Sequence, residues 1–166
     1  MAEIARRAGV VRATIYVHFP TRETLLEAVT ERALAETAEA IAEAEPERGE
    51  PVDALARVVT VAWRKLGRYH ALVAINTSTQ APEELRHRHG SVLGRLLPLV
   101  ERGQAAGAFR ADVPAGWHLS MLLALVHAAS AELRAGRVAT DQGEAALVAT
   151  VLGAVASPGA QRTDTA

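Results

Sequence analysis

The 166-residue chain contains no cysteine. That excludes a disulfide framework, a thiolate zinc site and a cysteine nucleophile, and it fits a reducing compartment, so a cytoplasmic location is expected. Aromatic residues make up only 4% of the sequence. Any core must therefore be aliphatic, and a β-sandwich or barrel, which draws on Val, Ile, Thr and aromatics, is disfavoured. Lysine is nearly absent: Lys65 stands against 17 arginines, an imbalance read as genome composition. The N-terminus lacks the apolar core of a signal peptide. The longest charge-free run of interest, Val113–Ala131, is interrupted by Pro114, Gly116, His118, Ser120, His127 and Ser130. It reads as a buried helix rather than a membrane span, so no membrane partner is expected.

Catalytic and metal motifs are missing too. There is no GxSxG, HExxH or phosphate-binding loop, and His, Glu and Asp never gather at catalytic spacing. His87 and His89 are two apart, which points them in opposite directions on a helix and argues against a shared metal. No catalytic residue, metal or cofactor is therefore expected, and the chain reads as a non-enzyme.

What is present is alanine, 35 residues in 166. Alanine loses no side-chain entropy on entering a helix, so this composition predicts an all-α protein. The net charge of −1 hides an asymmetry. Ile4–Arg22 carries Arg6, Arg7, Arg12 and Arg22 and no acid, whereas Ala33–Asp53 carries seven acids against Arg48 alone. A short basic head joined to an acidic neck is the asymmetry that calls for an explanation.

Helical signals follow one another along the chain. Residues 2–8 end at Gly9, a natural C-terminal stop. Residues 12–18 place Ile15 and Phe19 four apart, and Pro20 stops them. Thr21 is positioned to N-cap a third helix from Arg22 to about Ala44. Pro46, Gly49 and Pro51 break the chain. Val52, Leu55, Val59, Ala62 and Leu66 recur at helical spacing over 52–66, and Gly67 predicts a kink or break before 68–78. A long helix is expected over about 82–105, kinked at Pro98, then two more at about 115–135 and 141–156. The expected organisation is a head at 1–34, a helical domain at 35–157 and a flexible tail at 158–166.

Two short helices joined by a tight glycine-containing turn form a helix-turn-helix, whose second helix enters the DNA major groove. Here that helix would display Arg12, Thr14, Tyr16 and His18. Arginine can bridge guanine O6 and N7, threonine can touch a thymine methyl, and Tyr and His can bond phosphates. Arg22 sits in the first turn of the next helix, whose amides also favour a phosphate.

The run Ile4–Val10, then Arg12-Ala13-Thr14-Ile15-Tyr16, then His18-Phe19-Pro20-Thr21-Arg22-Glu23-Thr24-Leu25-Leu26, resembles the TetR family of bacterial transcriptional repressors. The resemblance covers about 25 residues in order; the rest is similar only in layout. It implies a helix-turn-helix head on a helical ligand-binding and dimerisation domain. It further implies a homodimer on a palindromic operator, released when a small molecule enters the C-terminal domain. Carried over by position, Arg12 is the base reader and Thr14, Tyr16, His18 and Arg22 are DNA contacts. The family places a further helix ahead of the residue that is Met1 here, and a Ser or Thr where this chain has Val11, which cannot cap the second helix. The alternative is a truncated member that dimerises and binds a small molecule without stable DNA binding. A helical small-molecule-binding or scaffolding protein is the rival from another class.

For the ligand, Trp63, Tyr69, His70 and Asn76 are candidates on the central helices, with His89, Trp117, Met121 and His127 closing the pocket. The scarcity of acids here favours an apolar effector, neutral or anionic. For the dimer, Leu122, Val126, Ala129 and Leu133, together with Thr150, Gly153 and Ala154, form a stripe on the last two helices suited to a four-helix interface.

Overall fold

A computed structural model describes residues 1–79 and 82–157; the side chains at positions 68, 70–79, 82, 85 and 140 lie outside that description. The expected flexible tail, 158–166, also lies outside the described residues. Eight α-helices are described: α1 (Ala2–Ala8), α2 (Arg12–His18), α3 (Arg22–Glu43), α4 (Pro51–Thr79), α5 (Pro82–Arg88), α6 (Gly90–Ala105), α7 (Ala115–Arg134) and α8 (Thr140–Val155). Among the described residues the β-structure consists of an isolated bridge between Phe109 and Ala156. The chain divides into two compact units, with the boundary between Ala33 and Leu34.

In the first unit, local chemistry sets each boundary. Gly9 takes a left-handed conformation (φ 67°) at the end of α1. The Gly9 amide donates to the Arg6 carbonyl and the Val10 amide to the Ala5 carbonyl, the paired bonds that close a helix on a glycine. Val11 precedes α2 in an extended conformation and makes no side-chain cap bond. Thr21 and Thr24 bond reciprocally, each amide to the other's hydroxyl, at 3.1 and 3.2 Å. That is a capping box with threonine in the third position, and it fixes the start of α3. Ala5 and Ile15 are buried where α1 meets α2, while Ile4 stays exposed.

The second unit packs α4 against α6, α7 and α8. Its core is aliphatic, as the composition requires: Ile41, Leu55, Val58, Val59, Leu99 and Val151 are almost wholly buried, joined by Phe109 and Trp63. α4 runs unbroken for 29 residues through Gly67, where a kink or break was expected. Glycine keeps its amide and clashes with nothing, so its cost of about 1 kcal/mol is outweighed by packing along the helix. The single helix expected over 82–105 is instead divided at His89, whose carbonyl accepts the amides of Val92 and Leu93 and so starts α6 afresh. α6 then continues through Pro98 on its solvent side.

The 107–113 loop is anchored on both sides. The Arg110 amide donates to the Val155 carbonyl and the Ser157 amide to Ala108. Gln104 donates to the carbonyls of Arg110 and Val113, and His118 Nε2 lies 2.9 Å from the same Arg110 carbonyl. His118 is thus a buried, satisfied structural histidine.

Candidate functional site

Two surfaces and one cavity carry the chemistry. The first surface is the outer face of α2. Ile15 turns inward, and Arg12, Thr14, Tyr16, Val17 and His18 all lie exposed. The Arg12 guanidinium sits 5.2 Å from the centre of the Tyr16 ring and donates to its hydroxyl at 3.1 Å. A cation–π contact with a hydrogen bond one helical turn away pre-orders a long side chain that would otherwise lose rotamer entropy on binding. Arg22 is exposed at the start of α3, and the His18 ring lies 6.4 Å from that of Phe19. Of the two acids that flank the Ile4–Arg22 stretch, Glu3 and Glu23, Glu3 is engaged by Arg6 and Arg7, which hold its carboxyl below the usual range. The departure at Val11 has a visible consequence: α2 starts without a side-chain cap, and Val11 and Val17 stand as exposed apolar residues.

The cavity lies within the second unit, bounded by α3, α4, α6 and α7, and has a volume of about 70 Å³. Its walls are Leu34 and Ile41 from α3, Val58, Val59, Ala62 and Leu66 from α4, Val92, Leu93 and Leu96 from α6, and Leu122, Leu123 and Val126 from α7. The polar groups at the wall are Thr37, His89 and His127. The two imidazoles meet edge to face with centroids 5.3 Å apart. Nδ1 of His127 is buried with no hydrogen-bond partner among the described residues. Burial first, and the proximity of His89 second, push the His127 pKa down to about 4.

Of the candidate ligand residues, His89 and His127 line this cavity and the other described ones do not. Trp63 is buried but faces α8, where its ring edge lies 3.0 Å from the position a Cβ at Gly143 would take. Tyr69 donates from its hydroxyl to Glu36 at 2.8 Å. Trp117 and Met121 are 54% and 38% exposed. They share an outward face of α7 because residues four apart point the same way. His70 and Asn76 lie outside the described side chains.

The same phase argument corrects the expected interface stripe. Leu122 and Val126 turn inward and line the cavity, so they are core residues rather than surface ones. Ala129 and Leu133 instead border a shallow apolar groove of about 240 Å³ shared with Ala128, Ala146 and Thr150. Thr150, Gly153 and Ala154 are exposed on α8, on a face continued by Ala145, Ala146 and Ala149. The cavity walls missed by sequence reading are aliphatic residues at ordinary core spacing, and nothing in the sequence separates a residue beside a void from one in solid packing.

Among the described residues no three His, Asp or Glu side chains gather as a metal site, and no helix is long and apolar enough to cross a membrane.

Comparison with known proteins agrees with this architecture. The HTH-type transcriptional repressor NicS of Pseudomonas putida is 30% identical over 107 residues, covering 60% of this chain and 50% of that protein. The match therefore spans half the length of that relative. The transcriptional regulator FadR from Bacillus subtilis, solved in complex with stearoyl-CoA, is similar with a TM-score of 0.73 at 21% identity over 94% of this chain and 86% of that one. The TetR-like transcriptional regulator LfrR from Mycobacterium smegmatis, solved with proflavine, gives 0.67 at 23% over 93% and 84%. At these identities the two structures speak for a shared fold. Residues 1–29, which hold the helix-turn-helix described above, match the family model of bacterial regulatory proteins, tetR family.

Proposed function

We propose that the chain is a ligand-responsive transcriptional repressor, acting in the cytoplasm as a homodimer on a palindromic operator and without enzymatic activity or cofactor. The observation that carries this reading is the exposed face of α2, where Arg12 is braced on Tyr16 in a stretch, Ile4–Arg22, without a single acid. Arg12 reads a base, and Thr14, Tyr16, His18 and Arg22 position the helix on the phosphates. The small exposed side chains of α8, with Ala128 on α7, favour close approach of the same helices from a second copy, which generates the two-fold symmetry a palindrome demands. The tetR family match over residues 1–29 and the likeness to NicS, by its name an HTH-type transcriptional repressor, support this reading.

The effector enters the cavity beside His127. At about 70 Å³ the cavity is small, so a ligand of ordinary size must widen it. Leu34, Thr37 and Ile41 of its wall belong to α3, the helix that begins with Arg22. Displacing that wall is the means by which binding alters operator affinity.

The test is binding of the full chain to its own promoter DNA across a salt series. A repressor that meets phosphates with arginine loses affinity steeply as salt rises. Absent binding, or binding indifferent to salt, refutes the DNA reading, and persistence of dimer and ligand binding in that case identifies a chain that senses without holding DNA.

A further inference from the structure

The cavity combines two properties that rarely serve packing alone. Its described walls are aliphatic apart from Thr37, His89 and His127, and none of them carries Lys, Arg, Asp or Glu. Against that wall stands a ring nitrogen, Nδ1 of His127, buried and unpartnered among the described residues. A charge brought into such a space loses its hydration and finds no opposite charge, whereas a lone polar atom already desolvated gains from any group able to bond it.

We infer that the cavity takes an uncharged, largely aliphatic molecule carrying a hydroxyl group, and that this hydroxyl pairs with Nδ1 of His127. The inference rests on reading the cavity as the effector site and adds the chemical class of the effector. A hydroxyl both donates and accepts, so it satisfies either tautomer of the ring, which an ether or a carbonyl does not. The ring is itself neutral at physiological pH, because burial and the neighbouring His89 hold its pKa near 4. It therefore offers a carboxylate no counter-charge. An ammonium group fares no better, since the described wall holds no acid. This narrows the sequence-based expectation of a neutral or anionic ligand to the neutral one.

The experiment uses three probes of one chain length, octan-1-ol, octanoate and octylamine, titrated calorimetrically into the full chain at pH 7.5. Octan-1-ol should bind at least about tenfold more tightly than either ion, the factor equivalent to one buried hydrogen bond. It should also move the Nδ1 nitrogen resonance of His127. In His127→Leu the preference for the alcohol should fall by about the same tenfold, with the melting temperature recording whether the variant is folded. The wild-type series stands without the variant. Equal or tighter binding of octanoate or octylamine overturns the inference, as does an unmoved Nδ1 resonance on saturation with octan-1-ol. The two readings separate cleanly. Release of promoter DNA by an ionic probe alone leaves the cavity as effector site and removes the hydroxyl class. Failure of every octyl probe to bind removes both.

Discussion

The ring of Phe109 lies directly against the α-carbon of Gly103, so closely that any Cβ added there would fall inside the ring's van der Waals surface. The Phe109 amide returns to the Gly103 carbonyl at 3.0 Å, and the ring is buried to 1% exposure. The pair seals the loop that links α6 to α7. Gly103→Ala should therefore cost about 1–3 kcal/mol through overpacking, and Phe109→Ala about 3–5 kcal/mol through the cavity left behind. Because the alanine at 103 clashes only when the ring is present, urea unfolding of the double variant should show a loss well below the sum of the two. Additive losses would mean the contact is not the source of either.

The parts of the fold that sequence reading locates correctly are those fixed by local chemistry. Gly9, Pro20 and Thr21 each impose a backbone conformation or a cap that holds whatever surrounds them, and the boundaries of α1, α2 and the start of α3 fall where they require. Gly67 and His89 go the other way, because a tolerated glycine and a helix restart depend on packing. The outward turn of Trp117 and Met121 has a different cause. α7 is apolar around much of its circumference, so its pattern carries no phase, and which face meets the core is decided by α4, α6 and α8. Of the cavity, only His89 and His127 were legible, since a polar ring in an apolar run is unusual whereas another leucine is not.

The brace between Arg12 and Tyr16 gives the DNA face a graded prediction. Arg12→Ala should weaken operator binding by about 1–3 kcal/mol and relax the preference at the base it reads. Tyr16→Phe removes the 3.1 Å hydrogen bond but keeps the ring under the guanidinium. It should give a smaller loss. Arg22→Ala should weaken all sequences alike and lower the salt slope by about 2, roughly one unit for each subunit of the dimer. Fluorescence anisotropy on operator and scrambled duplexes distinguishes the two behaviours.

Two arginines clasp the segment between α3 and α4. Arg57 donates to the carbonyls of Ala44, Glu45 and Arg48, and Arg102 to those of Pro46 and Gly49. Glu45 holds a left-handed conformation there (φ 50°), uncommon for a residue with a side chain. Charged donors on backbone carbonyls are worth about 1.5–3 kcal/mol each when not exposed to water; partial exposure here places Arg102→Ala near 1–2 kcal/mol. The readable effect is local: limited proteolysis should begin to cut within 44–50 in Arg57→Ala and Arg102→Ala, with a larger effect when both are changed. Unchanged cleavage in the double variant would show that the segment is held by other means.

The depressed pKa of His127 makes a definite prediction about acid stability. Its ordinary value is 6.5 and its folded value is about 4, so between those pH values the unfolded chain binds a proton that the folded chain does not. Stability conferred by the neutral ring is fully present above pH 6.5 and is lost as the pH falls toward 4, below which both states are protonated and the loss stops. The gap corresponds to about 3 kcal/mol at most. With the ring half-buried and partly screened by solvent, roughly 1–2 kcal/mol is expected. His89 is the titratable group facing it among the described residues, and its proximity is the second cause, after burial, of the low value. His127→Gln carries no titrating proton and should therefore flatten the fall in urea midpoint between pH 6.5 and 4 relative to wild type, while the carboxylate-driven losses at lower pH stay the same in both. Parallel curves for the two proteins would place the His127 ring in contact with water and remove the desolvation on which its low pKa depends.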